Sequence, residues 1–304
     1  MDYSSGNLID LHVHSTASDG SFAPLDLISL AKKAGLKAFA LTDHDAIDGS
    51  KEILLNKHLL GPVQFITGVE ISTGSTEFPG IAGSFHLLGY GFDPEDPQLN
   101  HALLTQQTAR KNRNPHIIKL LNNLGMDMSL DEVITVSEDN AQIGRPHIAR
   151  LMVQKGFARN INEAFDRYLG KGRPAYLDKP RIDFRSAVRF IQSAGGIPVL
   201  AHPGLLNMPD DASYDALISE LVTMGLQGLE VFYPGHSSGQ TDLFSNLAQK
   251  HHLLVTGGSD FHGAVNPDVQ LGAGHGNLAV PYALFEHLSD AINRRRLQGP
   301  VGHE

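Results

Sequence analysis

The chain has 304 residues, with 33 acidic side chains against 24 basic ones and a net charge of -9. That balance excludes a general basic surface for coating nucleic acid, and no apolar run reaches the roughly 18 residues a membrane span needs. With no cysteine, disulfides, thiolate metal sites and cysteine nucleophiles are excluded together, so any metal must sit on histidine and carboxylate.

In chain order, residues 1–6 are polar and lack the charged and apolar regions of a signal peptide, so a cytoplasmic protein without a membrane partner is expected. Apolar runs at 8–13, 38–42, 63–69, 85–90, 197–201, 228–232 and 253–256 suit seven buried strands. Between the first two, Pro24 opens a helix with apolar Leu25, Ile28 and Ala31, and Gly35 stops it. Further helices are expected at 183–194, 214–224 and 241–251, with a final packing helix at 284–297. Strands alternating with helices predict βαβ units closing into an α/β barrel, with its site at the C-terminal ends of the strands.

The alternation breaks over 93–180, where helical signals dominate. Ser129 with Glu132 and Asn160 with Glu163 fit reciprocal capping boxes, Pro146 suits a first turn and Gly156 a C-cap. A helical insert, acting as a lid or substrate reader, is therefore expected between barrel segments 8–92 and 181–298.

Metal-binding side chains recur where apolar runs end. His12 and His14 stand two apart, so in a strand both point to one side. The turn Ser15-Thr16-Ala17-Ser18-Asp19-Gly20 can return Asp19 toward them. Asp43, His44 and Asp45 crowd the end of the second run, and such charges are costly to bury without a cation or partner. Glu70 ends the third run, His86 lies in the fourth, His202 precedes Pro203, and Asp260 and His262 are again two apart. Taken singly, each has an ordinary explanation in packing or solvation; together they do not.

Four of these segments, Asp10-Leu11-His12-Val13-His14-Ser15, Thr42-Asp43-His44, Ala201-His202-Pro203 and Ser259-Asp260-Phe261-His262, resemble the PHP family, the polymerase and histidinol phosphatase domain. The resemblance implies a distorted (β/α)7 barrel with up to three metal ions. It assigns His12, His14, Glu70 and Asp260 to a first metal, with Glu70 bridging to a second that His86 and His202 complete. Asp19, His44 and His262 would bind the third. Mixed nitrogen and oxygen donors suit Mn²⁺, Fe²⁺ or Zn²⁺, and manganese is preferred here.

Three divalent ions against Asp19, Glu70 and Asp260 would make the pocket electropositive, which suits a phosphate ester. A hydroxide shared between metals and positioned by Glu70 is the expected nucleophile. His236, in the turn Tyr233-Pro234-Gly235-His236, is a candidate proton donor or phosphate contact. Arg145 and His147, with Lys171 and Arg173, are candidates for holding a second phosphate. The segments around them resemble the branch acting on nucleoside 3′,5′-bisphosphates and, from the 5′ end, on short RNA. A small phosphorylated nucleotide or short oligonucleotide is thus the expected partner, with no stable nucleic-acid complex. The alternatives are a histidinol phosphate phosphatase, a non-catalytic metal- or partner-binding domain, and a zinc amidohydrolase, for which no metal-bridging lysine is found.

Overall fold

A computed structural model describes residues 8–74, 78, 81, 85–137, 143–178 and 181–298. The opening residues 1–6 and the expected end of the insert at 180 lie outside them. The barrel strands are β1 (Leu8–Val13), β2 (Ala38–Leu41), β3 (Gln64–Gly74) and β4 (His86–Tyr90), then β6 (Ile197–Leu200), β7 (Gly228–Phe232) and β8 (Leu254–Gly257). A two-residue β5 (Ile182–Asp183) pairs with the end of β3, and β9 (Val280–Pro281) pairs with the start of β1. All seven expected strands are present; β1 and β7 have the expected ends, and the other five differ by a residue or more at one end or both.

The sheet runs β8-β7-β6-β4-β3-β2-β1-β9. Past β8 the chain returns to β1, where Val13 and Phe261 bridge and the Asp260 N–H donates to the His12 carbonyl at 2.9 Å. The result is a nearly closed α/β barrel. One strand departs from the simple βαβ pattern, because β4 is antiparallel to both β3 and β6. Only residues 75–85 join β3 to β4, too few for the dozen or more that a parallel crossover needs. The reversal serves the site: β4 begins at the end where its neighbours finish, so His86 at its start stands opposite Ser72 in register and diagonal to Glu70.

Helices α1 (Pro24–Lys33), α2 (Asp48–Leu55), α7 (Phe184–Ser193), α8 (Asp211–Thr223), α9 (Ser238–Lys250) and α10 (Tyr282–Gln298) accompany the barrel strands. Two of them start a turn earlier than apolar spacing implied, because polar caps set the start. The Asp210 carboxylate accepts the Ser213 N–H at 2.8 Å, and Ser237 forms a reciprocal box with Gln240.

Between β4 and β5 the described residues hold α3 (Pro97–Asn123), α4 (Leu130–Val136), α5 (Arg145–Gln154), α6 (Ile161–Ala164) and a π-helical turn, Phe165–Leu169. The Ser129–Glu132 box is reciprocal. At Asn160 only half of one forms, because Glu163 turns to the Arg159 N–H at 2.7 Å instead of the Asn160 N–H. These helices bury their own cluster, including Ile117, Leu121, Met128, Ile148 and Met152. The expected boundary at 93 falls just before α3, whose first half packs Leu99 and Leu103 into the barrel's core, so this helix is shared between barrel and insert. Among the described residues no helix is long and apolar enough to cross a membrane.

Candidate metal centre

Glu70 is the hub of the site. Its Oε2 lies 3.3 Å from both His12 Nε2 and His14 Nε2 and 3.1 Å from His44 Nδ1. Its Oε1 lies 2.7 Å from His86 Nδ1 and 2.9 Å from His202 Nε2. Asp260 Oδ1 closes one side, 3.4 Å from His12 Nε2 and 3.1 Å from His14 Nε2. On the other side Asp19 Oδ1 is 3.4 Å from His262 Nε2 and 3.8 Å from His14 Nδ1. All nine candidate ligands thus converge, from the ends of β1, β2, β6 and β8, from within β3, which runs on four residues past Glu70, and from the start of β4.

Their donor atoms fall into three groups: His12, His14, Glu70 and Asp260; His14, Asp19, His44 and His262; and His44, Glu70 and His86. The third differs in detail from the expected second site, with His44 in the place given to His202, which meets the same Glu70 oxygen. His12 and His14 are wholly buried, whereas the side chains of His86 and Asp260 are 20 and 23 % exposed. The centre therefore opens on the His86 and Asp260 side.

Residues outside the donor set hold these loops in place. The Asp10 carboxylate accepts from the Ser259 N–H at 2.9 Å and the Gly272 N–H at 2.7 Å, tying the Asp260 loop to β1. Asp43 accepts from the Ser15 N–H and the Ser15 and Ser18 hydroxyls, each at 2.7 Å, which shapes the turn carrying Asp19. His202 and Asp260 sit at φ of 24° and 57°, conformations that non-glycine residues keep only when their surroundings impose them.

The electrostatics suit a cation. Burial opposes charge throughout, yet His44, His86 and His12 hold the Glu70 carboxyl well below its usual range. Burial is likewise overcome at His14, which the neighbouring Asp260 and Glu70 carboxylates raise to about 10, whereas at His44 burial wins and lowers it to about 4. Even so, His12 Nε2, His14 Nδ1 and Nε2, Glu70 Oε2 and His202 Nδ1 are buried without a hydrogen-bond partner. Metal ligands must be neutral imidazole and carboxylate, so divalent ions would satisfy these atoms and displace protons as they bind.

Glu230 was not singled out in the sequence, though it is an acid inside an apolar strand, the signal that marked Glu70. It is wholly buried, with Oε1 2.9 Å from His12 Nδ1 and Oε2 accepting the His202 N–H at 2.7 Å. Such a carboxylate fixes the ring and leaves the other nitrogen to the metal. Glu230→Gln should weaken divalent-ion binding about 10–100-fold while keeping the fold, read by calorimetric titration beside a melting curve. Unchanged affinity would remove Glu230 from the centre. Tyr233 is a second such residue, its hydroxyl donating to Asp260 Oδ2 at 3.2 Å.

His236 does not have the geometry of a proton donor. Its Nδ1 lies 2.9 Å from the Val231 carbonyl, which can only accept, while Nε2 accepts the Gly204 N–H at 3.1 Å. Both nitrogens are thus committed to the backbone, and burial lowers its pKa further. The ring braces the loop after His202. Among the other substrate candidates, Lys171 and Arg173 are exposed to solvent. His147 is buried and accepts the Gly144 N–H at 3.1 Å; burial lowers its pKa, with the Asp19 charge acting in the opposite sense. The Arg145 guanidinium lies 5.1 Å from the Tyr176 ring centre and donates to the Leu169 carbonyl at 2.9 Å.

A nearly closed α/β barrel with clustered histidine and carboxylate donors at one mouth defines a metal-dependent hydrolase. The PHP domain matches residues 10–193, and the chain belongs to that family. His202, Asp260 and His262 lie beyond the matched span and join it only in space. The chain is 35 % identical over 253 residues to a 5′-3′ exoribonuclease of Haemophilus influenzae, covering 83 % of this chain and 89 % of that one. It is 32 % identical over 254 residues to a 3′,5′-nucleoside bisphosphate phosphatase of Chromobacterium violaceum, covering 84 % and 87 %. It also resembles the solved structure of an amidohydrolase from Chromobacterium violaceum with bound sulfate and no metal, at a TM-score of 0.81, 30 % identity and coverage of 93 % and 96 %. The protein is a metal-dependent phosphoester hydrolase.

Proposed function

We propose that the chain removes the 3′-phosphate of nucleoside 3′,5′-bisphosphates, such as adenosine 3′,5′-bisphosphate to AMP and phosphate, and also shortens 5′-phosphorylated RNA from its 5′ end. The observation that carries the hydrolytic part is one buried carboxylate, Glu70, facing five histidines. The nucleotide part is supported by the relatives, one named for nucleoside bisphosphates and another for RNA.

In this reading His12, His14, Glu70 and Asp260 hold a first ion, Glu70, His86 and His202 a second, and Asp19, His44 and His262 a third, with manganese preferred over iron or zinc. Bound divalent ions supply Lewis-acid stabilisation of phosphoryl oxygens and lower the pKa of water. The chain's own work is positional. Glu70 keeps five imidazoles facing one point, Glu230 fixes the tautomer of His12, and the buried rings of His12 and His14 keep water from the floor of the site. Arg145 and His147 face the substrate from the insert, with Lys171 and Arg173 at its outer edge.

The test is phosphate release from adenosine 3′,5′-bisphosphate by manganese-loaded protein, with AMP and histidinol phosphate beside it. Loss of the 3′-phosphate alone is expected. No turnover of the bisphosphate, or faster cleavage of histidinol phosphate, overturns the nucleotide assignment.

A further inference from the structure

The turn that carries His44 is held from two sides. Asp45 follows the ring, wholly buried and at a φ of 52°, in the left-handed region that residues other than glycine keep only when their surroundings impose it. One side is β3. The Asp45 N–H donates to the Glu70 carbonyl at 2.8 Å, and Asp45 Oδ1 accepts the Ser72 N–H at 2.8 Å. With the Glu70 N–H, which donates to the Asp43 carbonyl at 3.2 Å, these bonds set His44 beside Glu70.

The other side is α3. Gln106, Gln107 and Arg110 lie within about one turn of one another on its flank. Gln106 Nε2 donates to Asp45 Oδ1 at 3.2 Å and to the Ser72 carbonyl at 2.7 Å. Gln107 Nε2 donates to the Asp45 carbonyl at 2.9 Å, and Arg110 Nη2 donates to Asp45 Oδ2. A carboxylate buried to this degree is costly without a cation and donors. Of its partners the Ser72 N–H comes from the barrel, whereas the guanidinium and the Gln106 amide come from α3. Without α3 the charge of Asp45 would be unbalanced, and the turn would lose bonds that hold it in its left-handed conformation.

His44 would feel that loss directly. Its Nδ1 lies 3.1 Å from Glu70 Oε2 and its Nε2 4.0 Å from Asp19 Oδ2, and it enters two of the three donor groups. Metal–ligand distances hold to within about 0.2 Å, so a turn that relaxes further than this removes its ring from the site. We propose that Asp45 is a positioning residue that couples α3 to His44: the insert helix, acting through Asp45, sets the His44 ring toward the donors it joins. The proposal rests on the metal-dependent reading of the centre and adds that the insert helps to build it.

The test is manganese binding by the full chain, counted by mass spectrometry and followed by calorimetric titration beside a melting curve. His44→Ala identifies the ion that depends on that ring. Asp45→Asn keeps the size of the side chain and removes the charge that Arg110 meets; it should weaken the same ion about 10–100-fold and leave the others within about threefold. Excess manganese should restore that ion in Asp45→Asn. The double variant His44→Ala with Asp45→Asn should bind no more weakly than His44→Ala, because a residue acting through His44 has nothing left to position. Arg110→Gln, a change on α3, should weaken the same ion about tenfold. Should Asp45→Asn lose its melting transition, Gln107→Ala is read by the same criteria, with a loss of about 3–10-fold expected. An ion that His44→Ala loses and Asp45→Asn keeps at wild-type affinity overturns the coupling alone, as do equal weakening of every ion, an additive double variant, or Arg110→Gln without effect. No ion lost by His44→Ala overturns the ligand reading of His44 and the coupling with it.

Discussion

Replacing Glu70 by Gln is expected to lower kcat/KM for phosphoester hydrolysis by about 10³-fold or more. The amide keeps the shape of the carboxylate and removes its charge, from a point where five imidazole nitrogens lie within 3.3 Å. An anionic donor shared between groups contributes several kcal/mol through the ions it helps to hold, and each 1.36 kcal/mol is tenfold in rate. Rate should be measured together with metal content by mass spectrometry. A loss in both is expected, and treating the wild type with a chelator should mimic it. Activity retained within tenfold would mean that Glu70 is not the hub.

Gly258→Ala should be the most damaging small substitution, destabilising the fold by about 3 kcal/mol and abolishing metal binding with it. A methyl at this position would collide with the His12 backbone nitrogen and Cβ and approach its Cα to 2.8 Å. Neither the β1 backbone nor the loop after β8 can move, because Asp10 ties them together through Ser259. A drop in melting temperature with a parallel loss of metal affinity is expected. A variant that melts and binds metal like the wild type would show that the seam between β1 and β8 is looser than described.

The positions of the donors were largely legible, because an H-x-H pair at the end of an apolar run and acids at strand ends obey strict geometric rules. The direction of β4 was not read from its residues, although the short joint over 75–85 carried it. Glu230 went unmarked only because no motif surrounds it; its burial in Gly228–Phe232 was as unusual as that of Glu70. The error at His236 has a different origin. A histidine in a Pro-Gly turn reads as mobile and available, and nothing local reveals that Gly204, distant in sequence, occupies its second nitrogen. Arg110 to Asn114 is hidden for a related reason. Its polar run reads as a solvated helix face, and nothing local reveals that Asp45 and the Ile143 carbonyl, both distant in sequence, meet Arg110 and Asn114.

Helix α3 has 27 residues, which at 1.5 Å each makes a rod about 40 Å long. One end is rooted in the barrel through Leu99 and Leu103, the other in the insert through Ile117 and Leu121, and Arg110 grips the residue after His44 midway along. Pro115 removes one hydrogen bond from the rod between Arg110 and Ile117, so any bend falls there, on the insert's side of the Arg110 contact. The insert is thus joined to the barrel through a continuous helix as well as through loops, and Arg110 ties that helix to Asp45.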